Sequence, residues 1–124
     1  MRGKLPNMKI TVTTGTGEGP TPLSAFDAAL LDAGIASYNI IYLSSIIPVG
    51  STIECNKFVA PPDESGHRLY VAMARHDEQS PTKIAIACLG WVQDSSDGSG
   101  LFVEMHGTNK EDIENLLYAT FNTM

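Results

Sequence analysis

Two adjacent serines, Ser44 and Ser45, stand inside the apolar run Tyr38-Asn39-Ile40-Ile41-Tyr42-Leu43-Ser44-Ser45-Ile46-Ile47-Pro48. A serine hydroxyl beside its own backbone can attack the carbonyl of the preceding peptide bond and cut the chain there. The plainer reading makes both serines small strand residues bonded to nearby backbone. Two carboxylates widen the chemistry available. Asp27 falls close beside the apolar stripe of a helix. An inward carboxylate there must find a backbone donor, a basic side chain or a ligand cation. Glu104 sits in the apolar stretch Leu101-Phe102-Val103-Glu104-Met105. It is either a core-edge residue paired to Lys or Arg, or a carboxyl whose apolar setting lets it keep a proton.

Other groups point away from common chemistries. The loop Gly15-Thr16-Gly17-Glu18-Gly19-Pro20 permits close backbone approach or positive φ and could cradle phosphate, but no lysine follows it as a P-loop requires. Glu18 would repel an anion and could add to a negative surface. His67, His76 and His106 lie on three different elements without metal-ligand spacing to the cysteines, so no metal site is expected. Cys55 and Cys88 read as small buried hydrophobes of a reducing compartment. A hydrolase serine would sit on a strand-to-helix elbow, whereas Ser45 is followed by Ile-Ile-Pro. Trp91, with no basic neighbours, reads as a packing anchor rather than a base-stacking platform.

These residues need a scaffold, and the 124-residue chain, 43% hydrophobic, is enough for one compact domain over 1–124. Net charge is −6 with no basic run, which argues against nucleic acid or an anionic membrane and suits a cationic ligand. No segment nears the roughly 20 apolar residues that span a bilayer. Met1 to Met8 carries basic residues with no apolar run behind them, so no signal peptide is expected and the location predicted is cytoplasmic.

Alternation predicts a strand over Met8–Thr14, and a run of branched and aromatic residues, interrupted by the two serines and ended by proline, predicts a second over Tyr38–Pro48. Between them Thr21-Pro22 opens a helix with Thr21 as N-cap, Leu23, Phe26, Leu30 and Ala33 as its buried stripe, and Gly34 past its end. Asp32 falls opposite that stripe, toward solvent. A short strand is expected at Thr52–Cys55, a loop at Asn56–Gly66, and strands at about Arg68–His76, Lys83–Gln93 and Leu101–Met105. A final helix starts at the capping box Thr108-Asn109-Lys110-Glu111 and buries Ile113, Leu116, Leu117 and Phe121.

The pattern Gly17-Glu18-Gly19-x-Thr21-Pro22-Leu23-x-Ala25-Phe26-Asp27-x-Ala29-Leu30-Leu31-x-Ala33-Gly34-Ile35 is followed by Asn39 and by Ser44-Ser45-Ile46-Ile47-Pro48. With Gly100-Leu101-Phe102-Val103-Glu104-x-x-Gly107, it resembles the pyruvoyl-dependent arginine decarboxylases. That resemblance implies an α+β fold, a four-layer αββα sandwich of helices around two β-layers. It implies self-cleavage between Ser44 and Ser45 into a β chain, 1–44, and an α chain, 45–124, with Ser45 converted to a covalent pyruvoyl group. Arginine would then bind through a Schiff base and leave as agmatine and carbon dioxide. Glu104 would deliver the proton to the α-carbon, and Asp27 would pair with the substrate guanidinium. Asn39 matches a position tied to processing and the active site. It shares strand parity with Ser45, yet six residues of extended strand is roughly 20 Å, so it would serve the site through a bend or a neighbouring subunit.

The family implies homotrimers, or pairs of trimers, with sites between subunits. It also implies a further strand and turn beyond the last helix, whereas this sequence stops at Met124; a short C-terminus with an open sheet edge is therefore expected. Two other readings stand beside the arginine enzyme. One is a relative that does not process, or that relies on a partner; the other is a decarboxylase of another basic amino acid.

Overall fold

The chain changes sheets at the point where its two serines lie. In the computed structural model, which describes residues 8–123, the strands are β1 (Met8–Val12), β2 (Asn39–Tyr42), β3 (Ile46–Ile47), β4 (Ser51–Cys55), β5 (Arg68–Val71), β6 (Ile86–Gln93) and β7 (Gly100–Gly107). The helices are α1 (Pro22–Ala33) and α2 (Lys110–Phe121). The fold is mixed α+β. The N-terminal stretch read above for a signal peptide falls, up to residue 7, outside the described residues, as does Met124.

Three small sheets result. β1 pairs in parallel with β4, Ile10 beside Ile53, and β2 pairs in parallel with β5, Ile41 beside Tyr70. β7 is central in an antiparallel sheet between β3 and β6. The single strand expected over Tyr38–Pro48, interrupted by its serines, is therefore two strands in different sheets, with Leu43, Ser44 and Ser45 between them. Branched residues favour extended backbone on both sides, but tertiary pairing assigns each side its own partner. β5 likewise ends at Val71 rather than His76, and β6 begins at Ile86 rather than Lys83.

α1 forms as its signals predict. Thr21 Oγ1 accepts from the Ser24 amide, the Ser24 hydroxyl accepts from the Thr21 amide, Pro22 fills the first position, and Gly34 closes the helix at φ 90°. The glycine loop before it lies flat along its alanine face. A Cβ at Gly17 would run into the backbone of Ala25 and Ala29, so close approach is what the glycines provide. Asp32, expected in free solvent, accepts from the Thr16 amide at 2.9 Å and pins this loop. Leu23, expected inside, is 75% exposed.

α2 covers one face of the antiparallel sheet, its Leu117 and Phe121 lying over Gly90 and Ile113 over Gly107. Its N-cap is Asn109, whose side chain accepts from the Asp112 amide, rather than Thr108. Leu116, also expected inside, is 58% exposed. The core consists of Ala33, Ile35, Ile47, Phe102 and Ile113, with Ile47 wholly buried at 0%. Ser51 is buried with them and is satisfied by donating to the Pro48 carbonyl at 2.6 Å. Among the described residues no helix is long and apolar enough to cross a membrane.

Candidate active site

Backbone hydrogen bonds clamp the serine bend from both ends. The Leu43 amide donates to the Val71 carbonyl at 2.8 Å, extending the β2–β5 ladder past Tyr42. The Phe102 amide donates to the Ser45 carbonyl at 2.7 Å, extending the β3–β7 ladder one residue before Ile46. The Ser44–Ser45 peptide lies between these two anchors, each in its own sheet. Ser44 is exposed and Ser45 is half-buried at a bend.

Ser45 meets Glu104 here. Its Oγ donates to Glu104 Oε1 at 3.1 Å, joining residues 59 apart in sequence. The register explains how. Ile46 pairs with Leu101, so Ser45 comes beside Phe102, and Glu104 lies two residues further along the same face of β7. Across that face stand Trp91, opposite Phe102, and Leu89, opposite Glu104. Trp91 meets Phe102 edge-on with ring centroids 6.2 Å apart, as a packing anchor would. Glu104 itself is exposed on this chain, without the apolar enclosure its sequence setting suggests and without a Lys or Arg partner among the described residues. The carboxylate can accept the Ser45 proton, and the hydroxyl points at that acceptor.

The other two predicted residues are not gathered to this pair. Asp27 is exposed rather than inward, so it needs no internal partner, and among the described residues no hydrogen bond or ion pair ties it to Ser45 or Glu104. Its neighbour Phe26 carries the Arg75 guanidinium 3.5 Å above the ring, and Arg75 pairs with Asp77 at 2.9 Å. Asn39 belongs to the other sheet, so the parity it shares with Ser45 has no geometric meaning. Its Nδ2 donates to the Gly66 carbonyl at 2.7 Å, and it lines an open hollow with His67, Arg68 and Tyr70. Next to it the Tyr38 hydroxyl donates to Glu64 Oε1 at 2.6 Å, and that bond pushes the phenol pKa up to about 12.

Sequence reading missed one cluster. His76, in the irregular stretch between β5 and β6, and His106, on β7, approach to 3.0 Å between their Nδ1 atoms, and His76 Nε2 lies 3.0 Å from Glu78 Oε1. The hydrogen bond from His76, with a second from the Ser80 amide, holds the Glu78 carboxyl below its ordinary range. The residues are 30 apart, and only the path of 72–85 across the sheet brings them together, so no local spacing could reveal it. Cys55 is exposed rather than buried, and Cys88 is half-buried; both are free thiols.

The family model for pyruvoyl-dependent arginine decarboxylase matches residues 9–123. A pyruvoyl-dependent arginine decarboxylase of Halobacterium salinarum is 37% identical over 97 residues, covering 77% of this chain and 59% of that protein. One of Picrophilus torridus is 30% identical over 115 residues, covering 92% of this chain and 63% of that protein. One of Methanothermobacter thermautotrophicus is 54% identical over 46 residues, 37% of this chain. The chain thus spans about three-fifths of the relatives it matches over most of its length.

Proposed function

Since the chain belongs to the pyruvoyl-dependent arginine decarboxylase family, we propose that it cuts itself between Ser44 and Ser45 and decarboxylates L-arginine to agmatine and carbon dioxide. The observation that carries this reading is the Ser45 Oγ–Glu104 Oε1 hydrogen bond at a bend clamped on both sides. In the proposed processing, Ser45 Oγ attacks the Ser44 carbonyl carbon and gives up its proton toward Glu104. The Ser44–Ser45 peptide bond becomes an ester as the amide nitrogen leaves with a proton. Loss of the α-hydrogen of residue 45 then breaks the ester, leaving Ser44 with a carboxylate. Water enters and ammonia departs from residue 45, which becomes the pyruvoyl ketone.

The residues present fit that group, because position 45 keeps a hydroxyl, a bound carbonyl and an adjacent carboxyl. When formed, the ketone supplies an acceptor for the substrate amine and a sink for the electrons released with carbon dioxide. Glu104 holds the proton destined for the substrate α-carbon. Asp27 receives the guanidinium, its exposed carboxylate being free to form a forked pair. Asn39 serves the site from another copy.

The chain as proposed is one domain, 1–44 plus 45–124 after the cut, contributing to a four-layer αββα sandwich in a cytoplasmic homotrimer or pair of trimers. Two facts support assembly. Among the described residues no hydrogen bond or ion pair joins Asp27 or Asn39 to the Ser45–Glu104 pair, and Asn39 lies in a different sheet, which suits a site completed by neighbouring copies. Large apolar side chains also stand open, with Leu31 at 72%, Ile46 at 68% and Val59 at 80% exposed.

Denaturing intact-mass spectrometry tests the first step. Two fragments divided at Ser44–Ser45, with gain of one water and loss of one ammonia, are expected. Ser45→Ala should give a single uncut chain without decarboxylase activity; cleavage persisting in that variant would end the mechanism.

A further inference from the structure

Decarboxylation consumes a proton each turnover, so a carboxyl that gives one to substrate must be reloaded. Glu104 and His106 lie two residues apart on the same face of β7, about 7 Å along the strand. Two long side chains, or one water between them, can span that separation. Behind His106 stand His76 and then Glu78. We propose that the His76–His106 pair is a one-proton store that reloads Glu104, an inference that rests on the decarboxylase reading above.

The hydrogen bonds set where the protons sit. Glu78 is held ionised and accepts the Ser80 amide at 3.1 Å, and a carboxylate only accepts, so His76 Nε2 donates to it. With the two Nδ1 atoms 3.0 Å apart, one hydrogen lies between them, because two N–H groups would repel and two lone pairs would share nothing. In the neutral pair His76 therefore offers its Nδ1 lone pair, His106 carries its hydrogen on Nδ1, and the His106 Nε2 lone pair has no partner among the described residues. A proton arriving at His106 Nε2 moves the Nδ1 hydrogen across to His76, which becomes an imidazolium beside Glu78.

Discharge is the reverse. His106 Nε2–H gives its proton to the Glu104 carboxylate, and His76 Nδ1 returns its own to His106 Nδ1. One proton leaves the pair and one arrives at Glu104, with no change in oxidation state. The pair cannot hold two added protons, since both Nδ1 atoms would then be donors.

The charges facing the pair support this direction. Glu104 lies along β7 and Glu78 beyond His76, with Lys83 acting on Glu78. Arg75 and Asp77 flank His76 but are paired to each other at 2.9 Å. On β6, Ala87 and Leu89 face His106 and Glu104 without charge, and α2 lies on the opposite face of the sheet.

Imidazole nitrogen NMR on Ser45→Ala, an uncut chain without the pyruvoyl group, tests the store directly. As pH is lowered, His76 and His106 should take up one proton between them in a shared step. Adding Glu104→Gln should shift that step to lower pH, because the carboxylate that favours the charged pair is gone. Independent titration of the two rings, or no response to Glu104→Gln, would overturn the inference. In the processed enzyme, His106→Gln should still be cleaved and should lose at least about tenfold in kcat. The loss should deepen at high pH and be restored by added imidazole, which a purely structural defect would not permit. His76→Gln should alter the pH profile in the same direction. Normal turnover by His106→Gln with an unchanged pH profile also sinks the store. A wild-type enzyme that shows no decarboxylation overturns the parent reading, and the reloading role with it, even if the shared titration appears.

Discussion

A serine hydroxyl aimed at a carboxylate has its proton already directed to an acceptor. Ser45 and Glu104 are so placed at 3.1 Å, and glutamine at 104 would keep an acceptor for that hydroxyl while losing the ability to carry a proton. Glu104→Gln is therefore expected still to cleave, though more slowly because the amide orients the hydroxyl without taking its proton, and to lose about 10²-fold or more in decarboxylation. Full turnover in that variant would remove Glu104 as the proton donor. Tyr38 offers a second residue-scale check. Its bond to Glu64 holds the phenol up at about 12, so it should appear as a late phenolate step in ultraviolet titration, absent from Tyr38→Phe. Because the folded pKa is raised, the stability this bond provides is present below the unfolded value near 10 and is lost as pH rises through about 12. The sequence made Ser45 and Glu104 legible through type and context. It could not make legible that His76 meets His106, because that depends on where the irregular stretch 72–85 runs, and it placed Asp27 beside the apolar stripe although the side chain is exposed.

At the scale of elements, local signals served best where the chain satisfies itself. The Thr21 cap, Pro22 and Gly34 bound α1 because capping bonds are made within a few residues. Branched and aromatic composition was a weaker guide over Tyr38–Pro48, since it favours extended backbone without saying which neighbour supplies the ladder. The close seat of the glycine loop on α1 gives a sharp test. Gly17→Ala would push a methyl into the Ala25 and Ala29 backbone, which cannot swing away as a side chain could. A loss of about 1–3 kcal/mol in a denaturant melt is expected, and a neutral result would mean that the loop lifts easily from the helix. At the other helix, Asn109→Ala removes the bond to the Asp112 amide and should cost about 1 kcal/mol, whereas Thr108→Ala should cost much less.

For the whole molecule, the pairing of strands across the proposed cut changes what kind of object the protein is. β1 and β2 precede Ser44, while their partners β4 and β5 follow Ser45, so both parallel ladders join one fragment to the other. The antiparallel sheet and α2 lie wholly on the C-terminal side. Before scission, refolding is a unimolecular event; after it, the same ladders must form between two diffusing peptides. The denatured mature protein should therefore recover with a yield and midpoint that depend on protein concentration, while Ser45→Ala recovers independently of it at the level of one chain. The two sheets that tie the halves together make scission a ratchet: the chain reaches this arrangement readily while it is whole, and once cut it keeps the arrangement far more easily than it could find it again.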